Sequence, residues 1–303
     1  AFSGMADHDQ ARVDLVERHA HHFGTDDWWF LTYRGWSLSE NGDVARGRAL
    51  LERAIEVRPE NANGVHGLAH AMHEGGASDD AQALLEGWLP TFDRRGLLHG
   101  HLAWHAALVA LERGDPEAAL AIYQNHVQPS VSLGMPINVV SDAASLLWRF
   151  EIYGHVVPQC LWNDAAKYGS ERFPKAGHAF IDVHMALIEA RTGDVAAFER
   201  RLASLRELVA NQQMPAGAVV PAIARAMRDF TEGDFLGTVR ELESSAGDVP
   251  RIGGSGAQRE IIEDTLLVAL MRGGEYKKAR ALINGRLDRR PSLRDSRWLS
   301  QLA

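Results

Sequence analysis

Hydrophobic residues recur along this chain with the spacing of an α-helix rather than that of a strand. Over 98–113, for example, the apolar stripe is Leu102, Ala106, Val109 and Leu111. Similar stripes predict helices over 28–41, 63–75, 98–113, 137–152, 178–192, 218–232 and 257–273. Residues 8–23 predict one further helix, whereas 129–136 and 246–256 are rich in Pro, Gly and Ser and predict loops.

A glycine, often followed by an acidic residue, separates each of these helices from the next helical segment. Successive separations between these glycines are 34 to 41 residues, which is typical of one supersecondary unit stacked many times. Glycine supplies the positive φ that ends one helix and lets the chain double back. We therefore expect turns at Gly42, Gly76, Gly114, Gly154, Gly193, Gly233 and Gly274.

Small residues and prolines keep fixed positions around these glycines. Gly35, Ala54 and Pro59 flank the first turn, and Ala279 and Pro291 follow the last. Small residues let two antiparallel helices approach closely, and proline cannot continue the second helix. The pattern resembles the tetratricopeptide signature. It predicts an all-α, tetratricopeptide-like right-handed α-solenoid of about seven helical hairpins, each with a helix A before the glycine and a helix B after it, spanning 1–303 as one domain.

Bulk properties exclude several classes of partner. A hydrophobic content of 46% is enough for a packed core, and a net charge of −8 argues against nucleic acid or an anionic membrane as the main partner. No apolar run approaches the roughly 18 residues that a membrane span needs. The start lacks both a signal peptide and an initiator Met, so we expect the C-terminal part of a longer protein. The single cysteine, Cys160, fits a cytoplasmic location and is interpreted as a small buried apolar residue.

Histidines concentrate on two consecutive A helices. His66, His70 and His73 follow one another at spacings of four and three residues, and His101 and His105 repeat the spacing of four on the next A helix. Such spacings place side chains on one helical stripe. Glu74 follows the first group directly.

The tetratricopeptide resemblance implies that A helices line the concave face and that positions about 13, 10, 6 and 3 before the turn glycine point into it. The five histidines fall at or near these positions, as do Asp142, Asp182 and His184 on later A helices. We therefore expect the candidate catalytic residues to converge on one inner surface. They are His66, His70, His101, His105, Asp142, Asp182 and His184.

Two functional hypotheses follow. In the first, His66, His70, His101 and His105 bind a divalent metal or act as acid–base groups, with Asp142 or Asp182 orienting an imidazole. Because buried imidazoles without partners cost about 1–3 kcal/mol each, a cluster of them favours function over a merely structural packing face. In the second hypothesis, the array is a non-catalytic scaffold that binds a peptide or protein in its concave groove.

A glycine-rich segment supplies further candidate ligand-binding residues. Ser255 is a helix N-cap, and Arg259 with free backbone N–H groups would suit a carboxylate or phosphate. The alternative is an ordinary inter-repeat loop and cap. Six tryptophans are interpreted as core residues, namely Trp28, Trp29, Trp36, Trp88, Trp104 and Trp148. Of these, Trp104 could line the pocket. The predicted ligand-binding set is His73, Glu74, Trp104, Ser255, Gln258 and Arg259.

With these motifs together, the chain resembles the tetratricopeptide repeat protein 38 family, also called StaR-like. The resemblance rests on Val65–Glu74, Asp182–His184 and Ala257–Glu260, and it covers essentially the whole chain. It implies no particular activity. It also implies a bulkier polar residue where this chain has Gly256, and hence a wider loop there.

Overall fold

The computed structural model describes residues 3–302, so the ends of the predicted 1–303 array (residues 1, 2 and 303) lie outside the described part. Within 3–302 the chain is helical and contains no strand. The sixteen α-helices of this part are α1 (His8–His19), α2 (Trp28–Glu40), α3 (Val44–Val57), α4 (Ala62–Glu74), α5 (Ser78–Trp88), α6 (His99–Arg113), α7 (Pro116–Ile122), α8 (Pro136–Ile152), α9 (Gln159–Arg172), α10 (Ala179–Thr192), α11 (Val195–Ala210), α12 (Val219–Glu232), α13 (Phe235–Ser245), α14 (Gly256–Arg272), α15 (Tyr276–Arg289) and α16 (Leu293–Gln301).

The predicted α-solenoid of seven hairpins is confirmed. The pairs run from α2 with α3 to α14 with α15, and all seven turn glycines have a positive φ of 66° to 95°. The acidic residue after the glycine has its own role, since the carboxylates of Asp115, Asp194 and Asp234 each accept a hydrogen bond from a backbone N–H in the first turn of helix B. The Gly-Asp pair therefore ends one helix and begins the next.

Close helix packing explains the small residues beside the turns. A Cβ atom on Gly35 would lie 2.7 Å from the Leu51 side chain and 2.8 Å from the carbonyl oxygen of Gly47. Helices α2 and α3 therefore approach more closely than any larger residue at position 35 allows. The predicted helix over 8–23 is present as α1, followed by a short 3₁₀ turn over Ala20–His22.

Helix α14 occupies the space enclosed by the earlier repeats. It contacts α4, α8 and α12 as well as its neighbours α13 and α15. Its hydrogen bonds to α8 are buried: Trp148 donates to the hydroxyl of Thr265 at 2.8 Å, and Arg149 donates to the carbonyl oxygen of Ala257 at 2.7 Å. The inner face of the array along α8 is thus filled by the chain itself and is not the open concave groove that the resemblance implied.

Buried ion pairs hold the C-terminal helices in this position. Arg286 of α15 contacts Asp264 of α14 at 2.8 Å and Asp295 of α16 at 2.7 Å. The Ser292 hydroxyl donates to Glu112 of α6 at 2.8 Å, which ties the start of α16 to the third repeat. Because an unpaired buried charge is costly, these contacts must form together.

Three local predictions were wrong. Cys160 is exposed, because it lies in the first turn of α9 while Leu161 and Trp162 take the inward positions. Trp29 is 52% exposed and packs only along the surface of α2 against Tyr33, so it is not a core residue. The segment 246–256, predicted as a loop, contains a 3₁₀ stretch over Ala246–Ile252. None of the helices in the described part is long and apolar enough to cross a membrane.

Candidate metal-binding site

Two consecutive A helices, α4 and α6, bring four histidines together. His66 and His70 lie on α4, and His101 and His105 lie on α6. One ring nitrogen from each of the four lies within 4.8 Å of the others. Nε2 of His66 and Nε2 of His70 are 2.9 Å apart, at hydrogen-bonding distance. We call this group the histidine cluster.

Carboxylates orient two of the rings. The Asp142 carboxylate accepts a hydrogen bond from Nδ1 of His101 at 2.8 Å, which leaves the lone pair on Nε2 of that ring. On the opposite side, Glu40 places an oxygen 2.9 Å from Nδ1 of His70. A carboxylate on the outer nitrogen of a histidine is the usual support of a metal-binding imidazole.

Glu40 was missed by the sequence analysis. It is the last residue of α2, and its side chain is fully buried. Its second oxygen accepts a hydrogen bond from the backbone N–H of Gly256 at 2.7 Å. Burial alone would raise the pKa of Glu40, but attraction to His70 and the hydrogen bond from Gly256 lower it to about 2. Glu40 is therefore ionised at neutral pH.

The other two rings are held in the neutral state. Burial, reinforced by repulsion from His70 and His101, holds the pKa values of His66 and His105 well below their usual range. Nε2 of His105 is buried and has no hydrogen-bond partner among the described residues. Neutral imidazole is the form that binds metals, and a buried nitrogen without a partner is costly unless something occupies its lone pair.

Two buried carboxylates flank the cluster. Burial raises the pKa of Asp142 even though attraction to His101 opposes the shift, whereas at Glu40 the effect of burial is outweighed by attraction to His70 and by the hydrogen bond from Gly256. Arg149 and Arg259 attract these carboxylates only weakly. A divalent cation among the ring nitrogens would place positive charge beside both carboxylates.

Trp104 packs against two rings of the histidine cluster. It is buried and stacks on His101 with ring centroids 5.2 Å apart, and its edge meets His105 at 4.9 Å. Its indole N–H donates to the Ser145 hydroxyl at 3.1 Å, so the ring is fixed in place. Trp104 therefore restricts the rotamers of both imidazoles on α6.

His73 and Glu74 lie beside the histidine cluster rather than in it. Nε2 of His73 is 3.3 Å from Glu260 of α14, and burial is the main reason that its pKa is lowered. Burial, together with repulsion from Glu40, raises the pKa of Glu74 to about 7. These residues face α14 and α15 instead of the four ring nitrogens.

The glycine-rich segment folds against α1 and α2. Ser255 and Gln258 form a capping box at the start of α14. Arg259 pairs with Asp9 of α1 at 2.9 Å, so its cation contacts an acidic side chain of the chain itself. The wider loop expected at Gly256 is not present, since a Cβ atom there would lie 2.7 Å from a carboxylate oxygen of Glu74.

Asp182 and His184 lie apart from the four ring nitrogens. The Asp182 carboxylate accepts hydrogen bonds from the backbone N–H groups of Gly177 and His178 and pairs with Arg201 at 2.6 Å. Nδ1 of His184 donates to the carbonyl oxygen of Phe180 at 2.7 Å. Burial lowers the pKa of His184 to about 4, so this ring is neutral.

Comparison with known protein families agrees with the architecture. A family model described as tetratricopeptide repeat matches residues 38–104, from the end of α2 into α6. The match supports a tetratricopeptide-type protein, a class whose arrays commonly bind peptide or protein partners. The matched segment includes His66, His70 and His101 of the histidine cluster.

Proposed function

We propose that this protein is a metal-binding tetratricopeptide protein in which His66, His70, His101 and His105 bind one divalent transition metal, with zinc as the best fit. The observation that carries the proposal is the convergence of four ring nitrogens within 4.8 Å. Zinc accepts histidine nitrogens in tetrahedral geometry. The supporting carboxylates are Asp142 and Glu40.

The dimensions suit zinc after small movements of the rings. Zn–N bonds of about 2.0–2.1 Å place the nitrogens of a tetrahedral site about 3.3 Å apart. The nitrogens of His66 and His70, now 2.9 Å apart, would separate slightly, and pairs up to 4.8 Å apart would move closer, which side-chain rotations can supply. The charge argument agrees, since the ion would offset the two buried carboxylates.

Access to the metal would be from the side of His66. Of the four rings, His66 is the only one that is not fully buried. Acid–base or metal-assisted catalysis, which we retain within the proposal, would require a small ligand to reach the metal past this ring. Asp142 would then act through His101, whereas Asp182 and His184 contribute to the packing of α10.

Zinc binding by paired variants tests the proposal. The chain, freed of metal with a chelator, is titrated with zinc, and its stoichiometry is measured by calorimetry and by elemental analysis. His101→Gln removes one ligand from α6, and His99→Gln removes a buried histidine of the same helix that lies outside the cluster. We expect one zinc per chain in the wild type and in His99→Gln, and a loss of at least tenfold in affinity in His101→Gln. Absence of stoichiometric zinc in the folded wild type, or equal affinity in both variants, would refute it.

The scaffold hypothesis remains a second candidate because of the family match over residues 38–104. Since α14 fills the interior along α8, a peptide would have to bind elsewhere on the array. The finer resemblance to the tetratricopeptide repeat protein 38 family and a cytoplasmic location are also proposals. The first is supported by the histidine run in Val65–Glu74 and the second by the single cysteine.

A further inference from the structure

A separate cavity of about 380 Å³ lies where α4 meets α13, α14 and α15. One side is apolar and is formed by side chains from four segments, namely Leu242, Val249, Pro250, Ile262, Leu266 and Leu282. The other side is polar and contains Glu74, Arg259 and Arg290. Pockets for small molecules are commonly built in this way, with an apolar body and a few polar groups that fix orientation.

Glu74 lies on the polar side of this cavity and forms one long ion pair. Within residues 3–302 its carboxyl makes no hydrogen bond, and its nearest cation, Nη1 of Arg290, is 4.0 Å away. The charged and titratable groups that face it are Glu40 on α2, Arg259 and Glu260 on α14, and Arg290 beyond α15, with His73 beside it on α4. Burial and repulsion from Glu40 raise the pKa of Glu74 to about 7, so this carboxyl is about half protonated at neutral pH and mostly protonated at pH 6.

The two arginines of the polar side have donors to spare. Arg290 hydrogen-bonds through Nη2 to Glu260, and no other hydrogen bond of its guanidinium is found in the described part of the chain. Arg259 uses Nη1 and Nη2 for contacts with Gly254, His8 and Asp9. A guanidinium has five N–H donors, so both side chains can donate to a further acceptor.

We propose that this cavity binds a monocarboxylate with an apolar body, such as a medium-chain fatty acid. Its carboxylate accepts one hydrogen bond from protonated Glu74 and others from Arg290 and Arg259, while its hydrocarbon lies against the apolar side. The acidic partners Asp9 and Glu260 stay in place, and the ligand accepts hydrogen bonds from guanidinium N–H groups that these partners do not use. The residues that line this cavity do not include the four histidines of the histidine cluster.

Octanoate binding to the full chain tests the proposal, with octanol as the neutral ligand of equal length. We expect octanoate to bind at least tenfold more tightly than octanol at pH 6. Because Glu74 must be protonated and its pKa is about 7, octanoate affinity should fall about tenfold between pH 6 and pH 8. Glu74→Gln keeps a donor of the same shape without a titrating proton, and it should bind octanoate with no such pH dependence.

A matched pair of arginine variants locates the carboxylate. Arg290→Gln should weaken octanoate binding at least fivefold. The control is Arg289→Gln, since Arg289 lies on the exposed rim of the same cavity and pairs with Glu263. This control should change octanoate affinity less than twofold. Equal affinity for octanoate and octanol, or the same pH dependence in wild type and Glu74→Gln, would overturn the proposal. The octanoate titrations are repeated after zinc removal. If octanoate does not bind as expected but zinc binding is intact, the ligand site alone is refuted.

Discussion

The Asp142→Asn substitution should separate metal binding from stability. The substitution replaces the buried carboxylate that orients His101 with a neutral amide of the same shape. Burial raises the pKa of Asp142 in the metal-free fold. A carboxyl with a raised folded pKa contributes stability below its unfolded pKa, and this contribution is lost as the pH rises through the folded value. Above the folded pKa, Asp142 therefore contributes no stability of its own, and the metal-free variant should be at least as stable as the wild type.

Metal affinity should change in the opposite direction. Without Asp142, His101 loses the carboxylate acceptor that fixes its tautomer. Loss of such a supporting partner typically lowers metal affinity by about 10–100-fold. This range corresponds to about 1.4–2.7 kcal/mol of binding free energy.

Two measurements on each protein check this prediction: zinc affinity by competition with a chromophoric chelator at pH 7, and the free energy of unfolding in urea with excess chelator. Asp182→Asn is the matched control, because Asp182 is equally buried but pairs with Arg201. It should cost about 3–5 kcal/mol of stability and leave zinc affinity unchanged. The reasoning would be refuted if Asp142→Asn were less stable than the wild type without metal and bound zinc with wild-type affinity. Asp142 would then be a purely structural partner of His101.

Two further predictions concern the rest of the chain. Arg286→Met leaves Asp264 and Asp295 without their buried cation, so it should cost about 3–5 kcal/mol of unfolding free energy. It should also speed amide hydrogen exchange in α15 and α16. A loss below about 1 kcal/mol would contradict the assigned role of these ion pairs. His184→Asn keeps a donor toward the carbonyl oxygen of Phe180 but removes a ring whose pKa is lowered to about 4. The contribution of the His184 ring to folding stability is complete above its unfolded pKa of about 6.5 and is lost as the pH falls through 4. Over this pH range the wild type should lose on the order of 3 kcal/mol of unfolding free energy that the variant does not lose. Urea unfolding at several pH values measures this difference. Parallel stability curves for wild type and His184→Asn would assign the acid sensitivity to other groups.

The repeat architecture could be predicted because its determinants are local. A glycine with positive φ and a following aspartate that caps the next helix are adjacent in sequence, so Gly114 and Asp115 mark a turn without any tertiary information. The four histidines were also accessible, because they lie on consecutive A helices at helical spacing. Stacking of repeats then brings neighbouring A helices together.

The remaining parts of the site depend on contacts between distant residues. Glu40, at the end of the first A helix, contacts His70 on the second A helix and Gly256, which lies 216 residues further along the chain. No spacing rule connects these positions. Asp182 has the register of an inward-facing residue, yet Arg201 on α11 takes its carboxylate, and this pairing is visible only once both helices are placed.

The path of α14 decides which surface of this array can carry chemistry. A tetratricopeptide array that binds peptides needs an accessible inner face, but here α14 occupies that space, where it accepts buried hydrogen bonds from Trp148 and Arg149 of α8. His66 on α4 and His105 on α6 are shielded from bulk water, and this burial, reinforced by repulsion from neighbouring histidines, depresses their pKa values. Desolvation of imidazoles is costly in a bare fold and favourable for metal binding, because it removes competition from protons. An interior closed by its own seventh hairpin therefore suits a metal site better than a peptide groove.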